Sequence, residues 1–311
     1  MKIIVLDSAT LGDLDLSPLN NFGEVVIYPT TTYEQTIKRC KDADIVITNK
    51  VIFDRDILEQ LPNLKLIAVA ATGMNNVDLD YAKQRAIEVK NVAGYSTNSV
   101  VQTTFMLALA LIGKLEYYSN YTRSGQWSKS PIFTNLEKSF FEIAGKKWGI
   151  IGLGEIGRKV ATIAKSFGAD VSYYATSGKP HSNEFEHKEL NELLRSSDII
   201  SIHAPLNENT LNLIDKDELD MLKSGAVLLN LGRGGIVNEE ALADAIDNKN
   251  ILAGLDVVAN EPIEANNPLL QIKNRENLII TPHLAWGSIE SRERLLKGII
   301  KNIEEFLERV W

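Results

Sequence analysis

The chain has one cysteine, Cys40, and four histidines in 311 residues. A single cysteine excludes an internal disulfide and suits a reducing, cytoplasmic setting. No group of His, Cys, Asp and Glu has the spacing of a metal site, so no metal is expected. Positive charge is also scarce: 33 Lys and Arg stand against 41 Asp and Glu, a net −8. That balance argues against nucleic acid or an anionic membrane as the main partner. No apolar run approaches the roughly 20 residues of a membrane helix, and the first one, in "MKIIVLDSATLG", is too short for a secretory leader. Short-period repeats and low-complexity segments are absent as well. What remains is ordinary for a globular chain, 44% apolar and 24% charged. It is too long for one compact core, so two domains are expected.

The pattern present is an alternation of strands and helices. Apolar runs at 2–6, 24–28, 43–49, 64–70 and 87–92 are separated by helical patterns near 33–41, 54–60 and 78–86. This order predicts a parallel sheet covered on both faces. A long apolar helix is expected from Ser99 to Ser119, followed by a polar, aromatic, loop-like stretch over 120–144. A second series starts at 146 and runs through "SDIISIHAPL", "GAVLLNLGRGG", "ILAGLDVV" and "ENLIITPH", with helices near 155–167, 187–195, 239–248 and 285–309. It reads as a second doubly wound unit. The last helix is amphipathic and could pack back on the first domain, which would make that domain discontinuous. Ligands of such folds bind beyond the carboxyl ends of the strands.

The strongest local motif is Gly152-x-Gly154-x-x-Gly157, placed after a strand and opening a helix. Gly152 permits the tight turn, Gly154 lets the backbone approach a pyrophosphate, and Gly157 lets helix and strand pack closely. The phosphates would sit on N–H groups near Glu155 and Ile156. The usual partner of the motif, an acid about 20 residues on that holds the ribose hydroxyls, is missing. The second strand ends in "ATSGK", Ala175 to Lys179. Nothing there repels a 2′-phosphate, and Thr176, Ser177 and Lys179 could bond to one, so NAD(H) and NADP(H) both remain open.

Three residues share one setting. Arg233 in "NLGRGG", Glu261 in "LDVVANEP" and His283 in "TPHLAW" each follow a strand. Singly, each has a bland alternative: a solvent arginine, a loop acid, a satisfied core histidine. Together they supply what reduction of a 2-oxo acid requires: a carboxylate anchor, a proton donor and a group to tune that donor. Of the other histidines, His181 and His187 lie in a polar connection and should be solvated. His203 in "SIHAPL" faces the cofactor crevice and is better suited to structure or backbone contact than to acid chemistry.

The segments "ATGMNNVDLDYAKQRAIEVKNVAGYSTNSV" (71–100), "GIIGLGEIG", "HAPLNENTLNLI", "NLGRGGIVNEEAL", "LDVVANEP" and "TPHLAW" resemble the D-isomer-specific 2-hydroxyacid dehydrogenase family over essentially the whole chain. "ATGMNNVD", "GYSTNSVVQ" and the Trp in "TPHLAW" are most similar to its glycerate dehydrogenase/hydroxypyruvate reductase branch. The resemblance implies an α/β fold of two Rossmann-like doubly wound domains with the substrate in the cleft. The flavodoxin-like substrate domain would be discontinuous, 1–98 plus 285–311, with the cofactor domain, 99–284, inserted. It implies Arg233 as the substrate anchor, His283 as the acid/base, and Glu261 as the partner that favours the charged imidazole and fixes its tautomer. Asp256 would lie near the nicotinamide amide. His203, Ala204, Pro205, Thr210 and Leu231 would be further cofactor contacts. The N–H groups of Thr72, Gly73 and Met74 would cap the substrate carboxylate. Trp286 is either a wall of the substrate pocket or simply packs the start of the last helix. The expected substrate pair is hydroxypyruvate and D-glycerate, with glyoxylate second, in a homodimer. The helix 99–119 and the aromatic residues Tyr117, Tyr118, Tyr121 and Trp127 are either the dimer surface or interdomain core. Two other readings stand beside this one: an enzyme of the family for a bulkier 2-oxo acid, and a dinucleotide-sensing, corepressor-like scaffold. The scaffold reading is opposed by the absence of a tail after Trp311 and by the acidic balance.

Overall fold

The computed structural model describes residues 1–180 and 182–310. His181, expected to be solvated, and Trp311 lie outside the described residues. The chain divides into two compact units, Met1–Ser96 with Trp286–Trp311, and Thr97–Ala285.

The first unit is built on β1 (Lys2–Val5), β2 (Glu24–Ile27), β3 (Ile45–Thr48), β4 (Leu66–Val69) and β5 (Glu88–Lys90), all parallel, in the order β2-β1-β3-β4-β5. Helices α1 (Tyr33–Cys40), α2 (Arg55–Glu59) and α3 (Leu79–Gln84) connect the strands. The inner strands β3 and β4 are apolar at nearly every position because both faces of the sheet are covered. One of the covering elements is the C-terminal helix, Ile289–Val310, which buries Leu295, Ile299, Ile303 and Phe306 in the same core as Ile3, Val5 and Ile45. That spacing puts one apolar stripe on one helix face. The helix starts at Ile289, not at 285, because residues before it form a turn in which Ser288 Oγ accepts the Ser291 N–H at 3.3 Å.

The second unit holds β6 (Lys147–Ile151), β7 (Asp170–Tyr174), β8 (Glu186–His187), β9 (Ile199–Ile202), β10 (Val227–Asn230), β11 (Leu252–Leu255) and β12 (Leu278–Ile280). These form one parallel sheet in the order β12-β11-β10-β9-β6-β7-β8. Its helices are α4 (Thr97–Ile112), α5 (Leu115–Arg123), α6 (Glu155–Ser166), α7 (Leu190–Ser196), α8 (Lys216–Met221) and α9 (Glu239–Lys249). The single helix expected over 99–119 is two. It breaks at Gly113-Lys114, where Lys114 takes a left-handed φ of +49° and its ammonium donates to Asn277 Oδ1 at 3.2 Å, and α5 leaves at 64° to α4. Most of α4 is core of the second unit, with Val100, Phe105, Ala108 and Leu111 buried around Trp148 and Leu229. No single helix among the described residues is long and apolar enough to cross a membrane. His187 is not solvated as expected: it pairs with Tyr173 at the sheet edge and sits half-buried edge-on to that ring at 5.3 Å.

Candidate active site

Tyr174, Ile151, Ile202, Asn230, Leu255 and Ile280 lie on one register line across the second sheet. The next residue of each strand is therefore on the carboxyl edge: Ala175, Gly152, His203, Leu231, Asp256 and Thr281. The strand order reverses at β6, which has β7 on one side and β9 on the other. Doubly wound sheets take ligands at this edge and this reversal.

The turn between β6 and α6 has the form a pyrophosphate needs. Gly152 has φ +88°, and a Cβ there would sit 3.0 Å from the Ala204 nitrogen. A Cβ on Gly157 would sit 2.1 Å from the Gly152 carbonyl oxygen, so helix and strand could not approach as they do. A Cβ on Gly154 would meet nothing within 4 Å, which leaves its backbone open to a ligand. No side chain caps α6, so its first N–H groups stay available for phosphate oxygens. Ile156 packs on the core, and Glu155 accepts a hydrogen bond from Thr97 Oγ1 at 2.9 Å.

The loop after β9 borders this turn. His203 is partly exposed as a residue, yet both its ring nitrogens are buried without a partner among the described residues, and burial pushes its pKa down to about 3. Unpaired buried nitrogens are costly and fit a partner supplied by a bound dinucleotide. Ala204 is buried, Pro205 exposed, and Thr210 lies fully buried beneath them. The Thr210 hydroxyl donates to the Pro205 carbonyl at 2.7 Å and accepts from the Asn207 N–H at 2.8 Å, so it shapes the turn from inside. Leu231 is buried at the end of β10. After β7, Ala175 is buried and begins a tight turn closed by the Gly178 N–H on its carbonyl at 2.9 Å, with Ser177 and Lys179 exposed and Thr176 half-buried. These residues fit a nicotinamide dinucleotide.

Glu261 and His283 follow β11 and β12, on the far side of the sheet from β7. His283 Nδ1 lies 2.6 Å from Glu261 Oε2. The carboxylate takes the Nδ1 side, which leaves Nε2 to exchange a proton. The turn carrying His283 is held by Asp256, which is 2% exposed. Its Oδ1 accepts from Thr281 Oγ1 at 2.6 Å and from the Leu284 N–H at 2.9 Å, and its Oδ2 accepts from the Ala285 N–H at 2.9 Å. Burial raises the Asp256 pKa, against those hydrogen bonds and the nearby His283, which lower it. Arg233, three residues past the end of β10, is exposed and ion-pairs with no carboxylate among the described residues. Its Nη1 donates to the Gly232 carbonyl at 2.8 Å.

The remaining expected substrate residues belong to the first unit. None of the N–H groups of Thr72, Gly73 and Met74 bonds to another atom of the described residues. Their loop is fixed at both ends: the Val92 N–H donates to the Ala71 carbonyl at 3.1 Å, and Asn76 Nδ2 donates to the Val51 carbonyl at 2.9 Å. Trp286 packs edge-on to Tyr95 at 6.2 Å on the core of that unit.

Residues 105–285 match the family described as D-isomer specific 2-hydroxyacid dehydrogenase, NAD binding domain. The chain belongs to the D-isomer specific 2-hydroxyacid dehydrogenases. It is 39% identical to a hydroxypyruvate reductase of Blautia hydrogenotrophica over 99% of this chain and 97% of that protein. It is 37% identical to a glycerate dehydrogenase of Methylorubrum extorquens over 98% of this chain and 96% of the other. Among solved structures it resembles an acyclic imino acid reductase in complex with NADPH and D-Arg, at 29% identity and a TM-score of 0.88, over 99% of this chain and 98% of that one. This 2-hydroxyacid dehydrogenase is thus a nicotinamide-dependent oxidoreductase acting between 2-oxo and 2-hydroxy acids. The scaffold alternative is not favoured, since the curated relatives it matches over nearly their whole length are enzymes.

Two residues whose side chains hold these turns, Asn230 and Thr281, were missed in the sequence. Asn230 is the last residue of β10, and Thr281 precedes the Pro-His pair. Each is a polar residue closing an otherwise apolar strand, which was the available signal.

Proposed function

We propose that the chain reduces hydroxypyruvate to D-glycerate, takes glyoxylate as a second substrate, and accepts NADH or NADPH. The observation that carries this reading is the 2.6 Å pair of His283 and Glu261, set on the same sheet edge as Arg233, which ion-pairs with no carboxylate among the described residues. The choice of substrate is supported by the activities for which the Blautia and Methylorubrum relatives are named. The choice of cofactor is left open to NADPH by Ala175, where a carboxylate would repel a 2′-phosphate, and by the hydroxyls of Thr176 and Ser177 with Lys179 beside them.

Arg233 grips the substrate carboxylate through two parallel N–H bonds and draws electron density from the adjacent carbonyl. A nicotinamide bound at the turn of Gly152, Gly154 and Gly157 would supply the hydride to the carbonyl carbon. His283 gives the Nε2 proton to the carbonyl oxygen, which becomes the 2-hydroxyl, and takes it back in the reverse direction. Glu261 keeps the Nδ1 proton in place and offsets the imidazolium charge. In the first unit by itself, the N–H groups of Thr72, Gly73 and Met74 are donors of the kind a carboxylate takes. The protein is read as a homodimer in the cytoplasm. Support for the dimer is the run of exposed apolar side chains after α5, with Phe133 88% and Leu136 73% exposed. Support for the compartment is the single, buried Cys40.

The test is oxidation of NADH and of NADPH, followed by absorbance, with hydroxypyruvate, glyoxylate, pyruvate and phenylpyruvate. Hydroxypyruvate should give the highest kcat/KM and glyoxylate the next. A preference for phenylpyruvate would replace this reading with a bulkier substrate, and no oxidation with any of the four would reject it.

A further inference from the structure

The turn that carries Arg233 is fixed from below by one side chain. Asn230 is 2% exposed, and both ends of its amide are engaged. Oδ1 accepts from the Gly232 N–H at 3.1 Å, and Nδ2 donates to the Arg233 carbonyl at 2.9 Å. The Asn230 carbonyl accepts from the Asp256 N–H at 3.0 Å, which ties this turn to the one bearing His283. The turn is also wedged from both sides. A Cβ on Gly232 would sit 2.7 Å from the Ala204 carbonyl oxygen, and one on Gly234 would sit 1.9 Å from that of Val258. The backbone around Arg233 therefore has neighbours at van der Waals limit on two faces and a matched donor and acceptor on a third.

Asparagine suits this place for a chemical reason. The turn presents one N–H and one carbonyl, and only a primary amide offers an acceptor and a donor on one short planar group. Aspartate would set an acceptor against the Arg233 carbonyl. An apolar residue would leave both backbone groups buried and unpaired.

We infer that Asn230 is a positioning residue for Arg233: its amide fixes the backbone from which the guanidinium projects, so that the arginine meets the substrate carboxylate without reorganising. This rests on the reading of Arg233 as the carboxylate anchor. A merely structural asparagine would instead lower stability and cofactor affinity, with no regard to whether Arg233 is present.

The experiment compares N230A, N230D and R233A with the double variant N230A/R233A in the whole enzyme. Readouts are kcat and KM for hydroxypyruvate, NADH affinity by fluorescence, and thermal unfolding. N230A should raise KM and lower kcat/KM on the order of 10²-fold, as a displacement of about 1 Å does at a reacting site. NADH affinity should stay within about twofold. On the R233A background, N230A should add less than about twofold, because the two residues then act as one. N230D keeps the bond to Gly232 and loses the one to Arg233, so it should fall in the same direction and serves if N230A does not fold. The inference is overturned if the loss caused by N230A persists in full without Arg233, or if N230A and N230D leave kcat/KM unchanged. An R233A enzyme with unaltered kcat/KM would instead overturn the anchor reading itself, and this inference with it.

Discussion

His283 has a φ of +50°, a left-handed backbone that a residue with a Cβ adopts at a cost on the order of 1 kcal/mol. Its neighbours impose it. The His283 N–H donates to the carbonyls of Asp256 and Thr281, both at 2.9 Å, and the Asp256 carboxylate gathers the next two N–H groups. Strain held this firmly at a side chain paired with a carboxylate marks function more than packing. It also guides substitution: asparagine tolerates this backbone better than most residues and cannot donate a proton as an acid. His203 is the opposite case, a histidine kept neutral. Its folded pKa of about 3 lies below the ordinary 6.5. Its share of stability is therefore present above pH 6.5 and is lost as the pH falls toward 3. Between pH 7.5 and 4.5 that share amounts to about 2–3 kcal/mol. Denaturant unfolding of H203Q should show a pH dependence weaker by about that amount than the wild type. Equal slopes for the two proteins would show that His203 titrates normally.

At the scale of elements, the turn between β6 and α6 separates folding from binding. Gly154 has an ordinary φ of −74° and open space where a Cβ would go. G154A should therefore unfold within about 0.5 kcal/mol of the wild type. Its affinity for NADH should drop on the order of tenfold or more, since the added methyl occupies the pyrophosphate's approach. Unchanged affinity in a fluorescence titration would remove this turn from the binding site. The glycine turn and the strand ends were legible because their signals are local: spacing, alternation and an abrupt polar residue after an apolar run. Other features were not. The break at Gly113-Lys114 was signalled only by Gly113; Lys114 carries no turn signature, and its left-handed backbone accompanies a contact to Asn277, 163 positions away. Helix α8 was passed over although Asp215 and Glu218 form a capping box that could be read in the sequence. The hydrogen bonds by which Asn230 and Asp256 hold their neighbouring turns could not be read in the sequence. They depend on which strands lie side by side, and the Asp256 N–H bonds to Asn230 only because β11 pairs with β10.

For the whole molecule, the stretch after α5 is the surface that bears on assembly. Tyr117 and Tyr118 hold it, their hydroxyls donating to Glu137 Oε2 and to the Lys138 carbonyl, both at 2.6 Å, while Phe133 and Leu136 stay exposed. Side chains so exposed add little to the fold of one chain. A double substitution, F133S with L136S, should leave unfolding nearly unchanged and shift sedimentation from dimer to monomer. A monomeric wild type would remove the dimer reading. The central claim is that His283 is the proton donor in reduction of a 2-oxo acid, and H283N tests it most directly. NADH oxidation with saturating hydroxypyruvate should fall by the 10²–10⁴-fold order of general acid catalysis, with NADH affinity retained. Turnover by H283N within about threefold of the wild type, far short of that order, would contradict the account.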